Sequence, residues 1–170
     1  MVVINLFGGS LADRNFVSAG VCYELARVGV ACSGLSVEGA APLLPEDPLL
    51  DFAIKNWLLL DAAERGMEVA VSTKPLPLYT LQMAGPTQRE FEIIVKHAWE
   101  KHANLSFYLG RGPFKDAAGY GFVADPGLRK LLLGWGILTD KVPETMAAPS
   151  VIASRALRQL PDRPPPTSRA

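Results

Sequence analysis

The sequence has few of the residues that build metal centres or disulfide frameworks. Its 170 residues include only two cysteines, Cys22 and Cys32, and two histidines, His97 and His102. There is no C-x-x-C spacing, and neither histidine has a cysteine nearby, so we expect no zinc site. The two cysteines are predicted to pack as small buried apolar side chains. The histidines lack the i, i+4 spacing of a helical metal pair and are predicted to lie at the surface or at a helix end.

Net charge and long apolar runs are also lacking. Lysine plus arginine (17) equals aspartate plus glutamate (17), which gives no overall attraction to nucleic acid or to an anionic membrane. No apolar run approaches membrane-spanning length, and the N-terminus has no basic region followed by a cleavage site. We therefore expect a cytoplasmic protein that has no membrane partner and does not bind nucleic acid.

What is present is the composition and length of one globular domain. Hydrophobic residues make up 49% and charged residues 20%, and 170 residues suffice to bury a core. Strand-like and helix-like segments alternate along the chain, which predicts a three-layer α/β fold: a parallel sheet of about five strands with helices on both faces. We assign residues 1–160 to this domain and the proline-rich residues 161–170 to a flexible tail. A flavodoxin-like α/β fold is the alternative.

The first thirty residues carry the clearest pattern. An apolar run, Val2–Phe7, predicts a buried strand, Gly8–Ser10 breaks it, and residues 15–28 have the spacing of a helix with Phe16 and Tyr23 on its apolar side. A strand, a glycine turn and a helix in this order begin a P-loop fold. In such a fold the backbone N–H groups of the loop and the helix N-terminus hold phosphates.

The residues of this turn do not match a working phosphate loop, which reads G-x-x-x-x-G-K-[ST]. Counted from Gly8, the second glycine falls on Asp13, the lysine on Arg14 and the magnesium-binding hydroxyl on Asn15. Asp13 adds a carboxylate that would repel phosphate, and the planar guanidinium of Arg14 is not equivalent to an ammonium. We predict a degenerate nucleotide-binding loop made of Gly8, Gly9, Ser10, Asp13, Arg14 and Asn15.

A second part of the predicted site follows the most strand-like segment, residues 67–72. A P-loop protein places its magnesium-holding acid at the end of this strand, but the chain has Thr73 followed by Lys74. A lysine there suits an anion and not a metal, so no metal ligands or catalytic residues are assigned. Because carboxyl ends of parallel strands share one edge, we predict a pocket edge there. It comprises Glu38, Thr73, Lys74, Arg111, Lys115 and Tyr120.

Three further local predictions concern the helices. Asp47-Pro48 predicts the start of a helix that runs to Arg65, with Trp57 in the core or in a groove. Thr87 and Glu90 have the spacing of a capping box at the start of an amphipathic helix whose apolar side includes Ile94. Residues 76–83 are predicted to form a loop or short helix that covers the sheet edge.

The hydrophobic frame resembles the small P-loop nucleotide-kinase-like proteins of bacteriophage genomes, often labelled AAA-family ATPases. The resemblance covers roughly residues 1–140. It rests on Ile4–Gly9, Glu68–Val71 before Pro75, Asn104–Leu109, and the helix that ends at Gly136.

The resemblance implies that the family's working residues are replaced here. The family's loop lysine falls on Arg14, its Ser/Thr on Asn15, its strand-end aspartate on Thr73 and its lid arginine on Tyr120. Since phosphoryl transfer relies on these positions, we expect a catalytically inactive pseudo-nucleotide-kinase. Its predicted role is binding, assembly or host interaction, in the host cytoplasm if a phage encodes it.

We therefore expect a protein partner and no cofactor, or a nucleotide bound without magnesium. Candidate contact surfaces are the tail, Trp57 and residues 76–83. One alternative is a nucleotide kinase or ATPase with an atypical phosphate loop. The other is a non-catalytic binder of nucleotides or nucleic acid.

Overall fold

The computed structural model describes residues 1–35, 47–110, 125–142 and 146–161. The strands are β1 (Val2–Gly8), β2 (Cys32–Leu35), β3 (Val69–Ser72), β4 (Ala103–Leu109) and β5 (Thr139–Val142). The helices are α1 (Leu11–Arg27), α2 (Pro48–Glu64), α3 (Gln88–Glu100), α4 (Pro126–Trp135) and α5 (Ala148–Leu157), together with a 3-10 helix, Leu76–Gln82. The tail, apart from Pro161, lies outside the described residues.

The five strands form one parallel sheet in the order β2-β3-β1-β4-β5. Helices α1 and α5 cover one face, and α2, α3, α4 and the 3-10 helix cover the other. The connection from β1 to β2 runs toward one edge of the sheet, and the later connections run toward the other edge. Because these crossovers have the same hand, α1 lies on the opposite face from α2, α3 and α4. The predicted three-layer α/β fold is confirmed. A flavodoxin-like sheet has β1 directly beside β2, whereas β3 lies between them here, so the flavodoxin-like alternative is wrong.

Strand β1 is the centre of the sheet, and both of its faces are buried. Ile4 and Leu6 face α1 and α5, whereas Val3 and Phe7 face the other helix layer. Asn5 interrupts the apolar run and is 2% exposed. Its Nδ2 donates to the Asn104 side-chain oxygen at 3.0 Å and to the Val3 carbonyl at 3.1 Å, so the buried amide is satisfied.

Helix α1 buries a different stripe from the predicted one. Phe16 and Tyr23 are exposed. The residues that face the sheet are instead Val17, Ser18, Val21 and Leu25.

The predicted capping box at Thr87 is also wrong. Helix α3 begins at Gln88, but Thr87 has helical dihedral angles (φ −84°, ψ −3°) and makes no side-chain capping bond. A capping side chain reaches the first turn only from a non-helical conformation. Further along α3, Ile94 is exposed and not part of the apolar face, which consists of Phe91, Val95 and Ala98.

Helix α2 starts as predicted, with the Asp47 carboxylate accepting the Leu49 N–H at 2.9 Å. Trp57, however, is 61% exposed, which contradicts its predicted place in the core or a groove. The short helix predicted in residues 76–83 is present as the 3-10 helix. It packs against α2, α3 and α4 on one face of the sheet.

Candidate functional site

The carboxyl ends of the central strands bring the two main parts of the predicted site to one edge. Gly8, at the end of β1, is in register with Leu109 of β4, and Asn5 is in register with Ser72 of β3. The turn after Gly8 and the Thr73-Lys74 segment therefore lie at the same edge of the sheet. Edges of this kind are where parallel α/β proteins bind ligands.

The turn between β1 and α1 is very short. Only Gly9 and Ser10 separate the strand from the helix, which begins at Leu11 and not near Asn15 as predicted. Gly8 and Gly9 have φ values of +69° and +61°, and these left-handed conformations let the chain reverse within two residues. Asp13, Arg14 and Asn15 consequently lie in the first turns of α1 and not in a loop.

A capping box that the sequence analysis missed fixes this early start. The Ser10 hydroxyl accepts the Asp13 N–H at 3.1 Å, and the Asp13 carboxylate accepts the Ser10 N–H at 3.0 Å. The spacing is that of a capping box, with aspartate in place of the usual glutamate or glutamine. A negative charge stabilises a helix N-terminus, and here the Asp13 carboxylate supplies that charge.

Arg14 is directed back to the turn. Its Nη1 donates to the Gly8 carbonyl at 2.9 Å and to the Gly9 carbonyl at 3.0 Å. In the P-loop pattern this position carries the lysine that reaches the phosphates. Here the guanidinium ties together the two carbonyl groups of the glycine turn.

The Gly8 backbone is in close contact with Tyr108, on the neighbouring strand β4. A Cβ atom on Gly8 would lie 2.5 Å from the Tyr108 ring and 2.4 Å from the Leu109 carbonyl oxygen. The same ring would be 2.6 Å from a Cβ on Gly110. Tyr108 itself is buried. The packing of this ring therefore explains why position 8 is a glycine, and no bound phosphate is needed to explain it.

The end of β3 is occupied by a small polar cluster. The Lys74 ammonium lies 3.4 Å from the Asp51 carboxylate and 4.5 Å from the centre of the Tyr79 ring. Thr73 is buried, and its hydroxyl is 3.5 Å from the Leu35 carbonyl. Lys74, which the sequence analysis predicted to suit an anion, therefore lies beside a carboxylate and an aromatic ring.

Lys55 is a site residue that sequence reasoning missed. It lies on the inner face of α2 with an exposed fraction of 0%, and its ammonium donates to the Leu35 carbonyl at 2.8 Å. A signal was present, because Phe52, Lys55, Leu59 and Ala62 share one helical face on which lysine is out of place. Lys55 and Thr73 meet at the same carbonyl, at the end of the edge strand β2.

The remaining predicted positions Glu38, Arg111, Lys115 and Tyr120 lie outside the described residues. Within the described ranges, no group of three or more His, Cys, Asp or Glu side chains could hold a metal ion. None of the helices that the structure describes combines the length and the apolar composition needed to cross a bilayer.

The two histidines lie where the sequence predicted. His97 is exposed in the last turn of α3, and His102 follows the end of that helix. Partial burial lowers the pKa of His102 below its usual 6.5, and repulsion from the amino-terminal ammonium and from Lys101 lowers it further. Neither histidine belongs to the carboxyl edge of the sheet.

A scan against protein-family models and a search of curated proteins each give no match for this chain. The similarity to P-loop nucleotide-kinase-like proteins therefore stays a prediction based on the residues quoted above.

Proposed function

We propose that this chain is a non-catalytic binding protein on a P-loop-kinase-like frame, with neither ATP hydrolysis nor phosphoryl transfer. The observation that carries the proposal is the closed N-terminus of α1. The Asp13 carboxylate accepts the backbone N–H of the N-cap residue, Ser10, and the Arg14 guanidinium donates to the carbonyls of Gly8 and Gly9. A phosphate at this N-terminus would have to displace the Asp13 carboxylate from the Ser10 N–H and would meet its negative charge, while the Arg14 guanidinium is engaged with the two carbonyls.

The strand-end cluster supports the same proposal. Thr73 stands where a catalytic acid would hold magnesium, and the next residue, Lys74, faces Asp51. Phosphoryl transfer depends on metal ions and cations that neutralise charge on the transferred group. A threonine in place of the acid, with a lysine ammonium beside it, does not suit a magnesium ion, and the capped N-terminus of α1 does not suit a phosphate.

A thermal-shift experiment with ATP, GTP, ADP and deoxynucleoside monophosphates, each with and without Mg²⁺, tests the proposal. A ligand at 100 times its Kd would add about 2.7 kcal/mol to the free energy of unfolding, which raises Tm by roughly 5–10 °C. We expect no shift for the wild type. The Asp13→Asn variant removes the repelling charge, and Asp125→Asn, at the N-cap of α4, is the matched control.

Two outcomes would contradict the proposal in different ways. A magnesium-dependent shift together with ATP turnover that Arg14→Ala abolishes would favour the kinase alternative. A shift of similar size without magnesium, and without turnover, would favour a nucleotide binder.

We further propose that the partner is a protein and that it contacts the outer face of α2. This face carries an exposed apolar stripe in which Leu49 is 51%, Trp57 61% and Leu60 42% exposed. Tryptophan is enriched among the residues that dominate protein–protein binding energy. Of the two other predicted surfaces, the 3-10 helix is largely buried and the tail lies outside the described residues. The bacteriophage resemblance would make the partner a host or viral protein.

Affinity capture from an extract of the native host cell, quantified by mass spectrometry, tests this surface. Loss of a central tryptophan costs about 2 kcal/mol or more, so Trp57→Glu should deplete the captured partner at least tenfold. Ile93→Glu is the control, because Ile93 is 63% exposed on α3, outside the α2 stripe. Equal capture by the wild type and Trp57→Glu, or equal loss in both variants, would contradict the assignment.

A further inference from the structure

The two cysteines, which are ten positions apart in the sequence, meet in the fold. Cys22 on α1 and Cys32 at the start of β2 are free thiols, both partly buried, with their sulfur atoms 2.9 Å apart. A disulfide bond is about 2.05 Å long, so the sulfurs need to approach by less than about 1 Å. The sequence predicted both only as small buried apolar side chains.

A second contact shows that the fold, and not side-chain flexibility, holds the pair together. A Cβ atom on Gly34 would lie 3.1 Å from the Ser18 hydroxyl oxygen and 3.9 Å from the Cys22 sulfur. Ser18 and Cys22 are one turn apart on α1, and Cys32 and Gly34 are two positions apart on β2, on one face of the strand. Since Gly34 has no side chain, α1 packs closely on β2 along this line.

We propose that Cys22 and Cys32 are a redox pair that closes to an intramolecular disulfide on reaction with a low-molecular-weight disulfide such as glutathione disulfide. The Cys22 thiolate attacks one sulfur of the oxidant, forms a mixed disulfide and releases one thiolate. Cys32 then loses its proton and attacks the Cys22 sulfur, which releases the second small thiol. Two protein S–H bonds are lost and one S–S bond forms, while the oxidant is reduced to two thiols.

The order of attack follows from the hydrogen bond within the pair. The bond from Cys32 lowers the pKa of Cys22 below the usual thiol value, against the opposing effect of burial. The same bond, together with burial, raises the pKa of Cys32 far above that value. Cys22 is therefore the attacking thiol and Cys32 the resolving thiol.

Closure would fasten the edge strand to α1. Among the strands that the structure describes, β2 is at the edge of the sheet and pairs with β3. A disulfide between residues 22 and 32 would close a short loop and raise Tm by about 5–10 °C in the chain-entropy treatment. The inference does not depend on the proposed binding function.

The test refolds the protein from urea in excess glutathione disulfide, so that burial of the thiols cannot block the reaction. Intact mass and Tm are then measured on the monomer. We expect the wild type to lose two hydrogens (about 2 Da) and to gain thermal stability, with both changes reversed by dithiothreitol. Cys22→Ser and Cys32→Ser should each carry one glutathione or one free thiol and show no such gain in Tm.

Three results would overturn the proposal. The wild type could carry two glutathiones, could form disulfide-linked dimers, or could retain both thiols after refolding. If a serine variant fails to fold, the corresponding alanine variant replaces it, because a partly buried position tolerates a small apolar side chain.

Discussion

Replacing Gly8 by alanine is expected to lower the free energy of unfolding by about 3–5 kcal/mol. Two costs add at this position. The φ of +69° is unfavourable for any residue with a Cβ atom. The new methyl group would also lie 2.4 Å from the Leu109 carbonyl oxygen and 2.5 Å from the Tyr108 ring. Because the carbonyl belongs to the paired strand β4, it cannot move without disturbing the centre of the sheet.

Gly66→Ala separates the two costs. Gly66 follows α2 with a φ of +74°, and nothing lies within 4 Å of its Cβ position. It should therefore show only the conformational cost, about 1–2 kcal/mol. Urea unfolding followed by circular dichroism measures both variants. Equal losses for Gly8→Ala and Gly66→Ala would mean that the Tyr108 contact is not formed in solution.

Lys55→Ala is expected to cost about 2–5 kcal/mol, since it leaves a cavity and removes the closer of the two side-chain donors, Lys55 and Thr73, at the Leu35 carbonyl. The side chain has an exposed fraction of 0%, and its ammonium lies 2.8 Å from that carbonyl. Lys55→Met keeps most of the volume and removes only the ammonium. It should therefore cost less, about 1–3 kcal/mol.

Lys96→Ala is the control for Lys55. Lys96 is exposed on α3, so its loss should change the free energy of unfolding by no more than about 0.5 kcal/mol. Acylation of lysine amines, mapped by peptide mass spectrometry, gives an independent check: Lys96 should react in the native protein and Lys55 should not. Equal stability losses, or rapid native acylation of Lys55, would contradict the buried position.

Much of the fold could be predicted because it depends on local patterns. Near-continuous apolar runs such as Val2–Phe7 and residues 67–72 indicate strands buried on both faces. Asp47 before Pro48 fixed one helix start, and Gly136 another helix end, through backbone preferences that act within a few residues. Alternation of these elements then indicated a parallel sheet.

The failed predictions concern choices that local pattern leaves open. Thr87 has the right neighbours for a capping box at the start of α3, but its backbone is already helical. The capping box that does form, between Ser10 and Asp13, is at the start of α1. Trp57 and Phe16 lie on helices with more apolar residues than one face can bury. Which of the two possible stripes faces the sheet depends on the surface opposite, which the sequence of one helix does not contain.

The sequence by itself determined the class of fold, the absence of the phosphate-loop lysine and hydroxyl, and the lack of net charge. Only the tertiary structure decided which contacts fill the carboxyl edge of the sheet. Arg14 bonds to the Gly8 carbonyl, Tyr108 packs on that glycine, and Lys55 reaches the end of β2. Arg14 and Gly8 are six residues apart, but the Tyr108 and Lys55 contacts join residues far apart in the chain. They form because parallel strands align their carboxyl ends at one edge of the sheet.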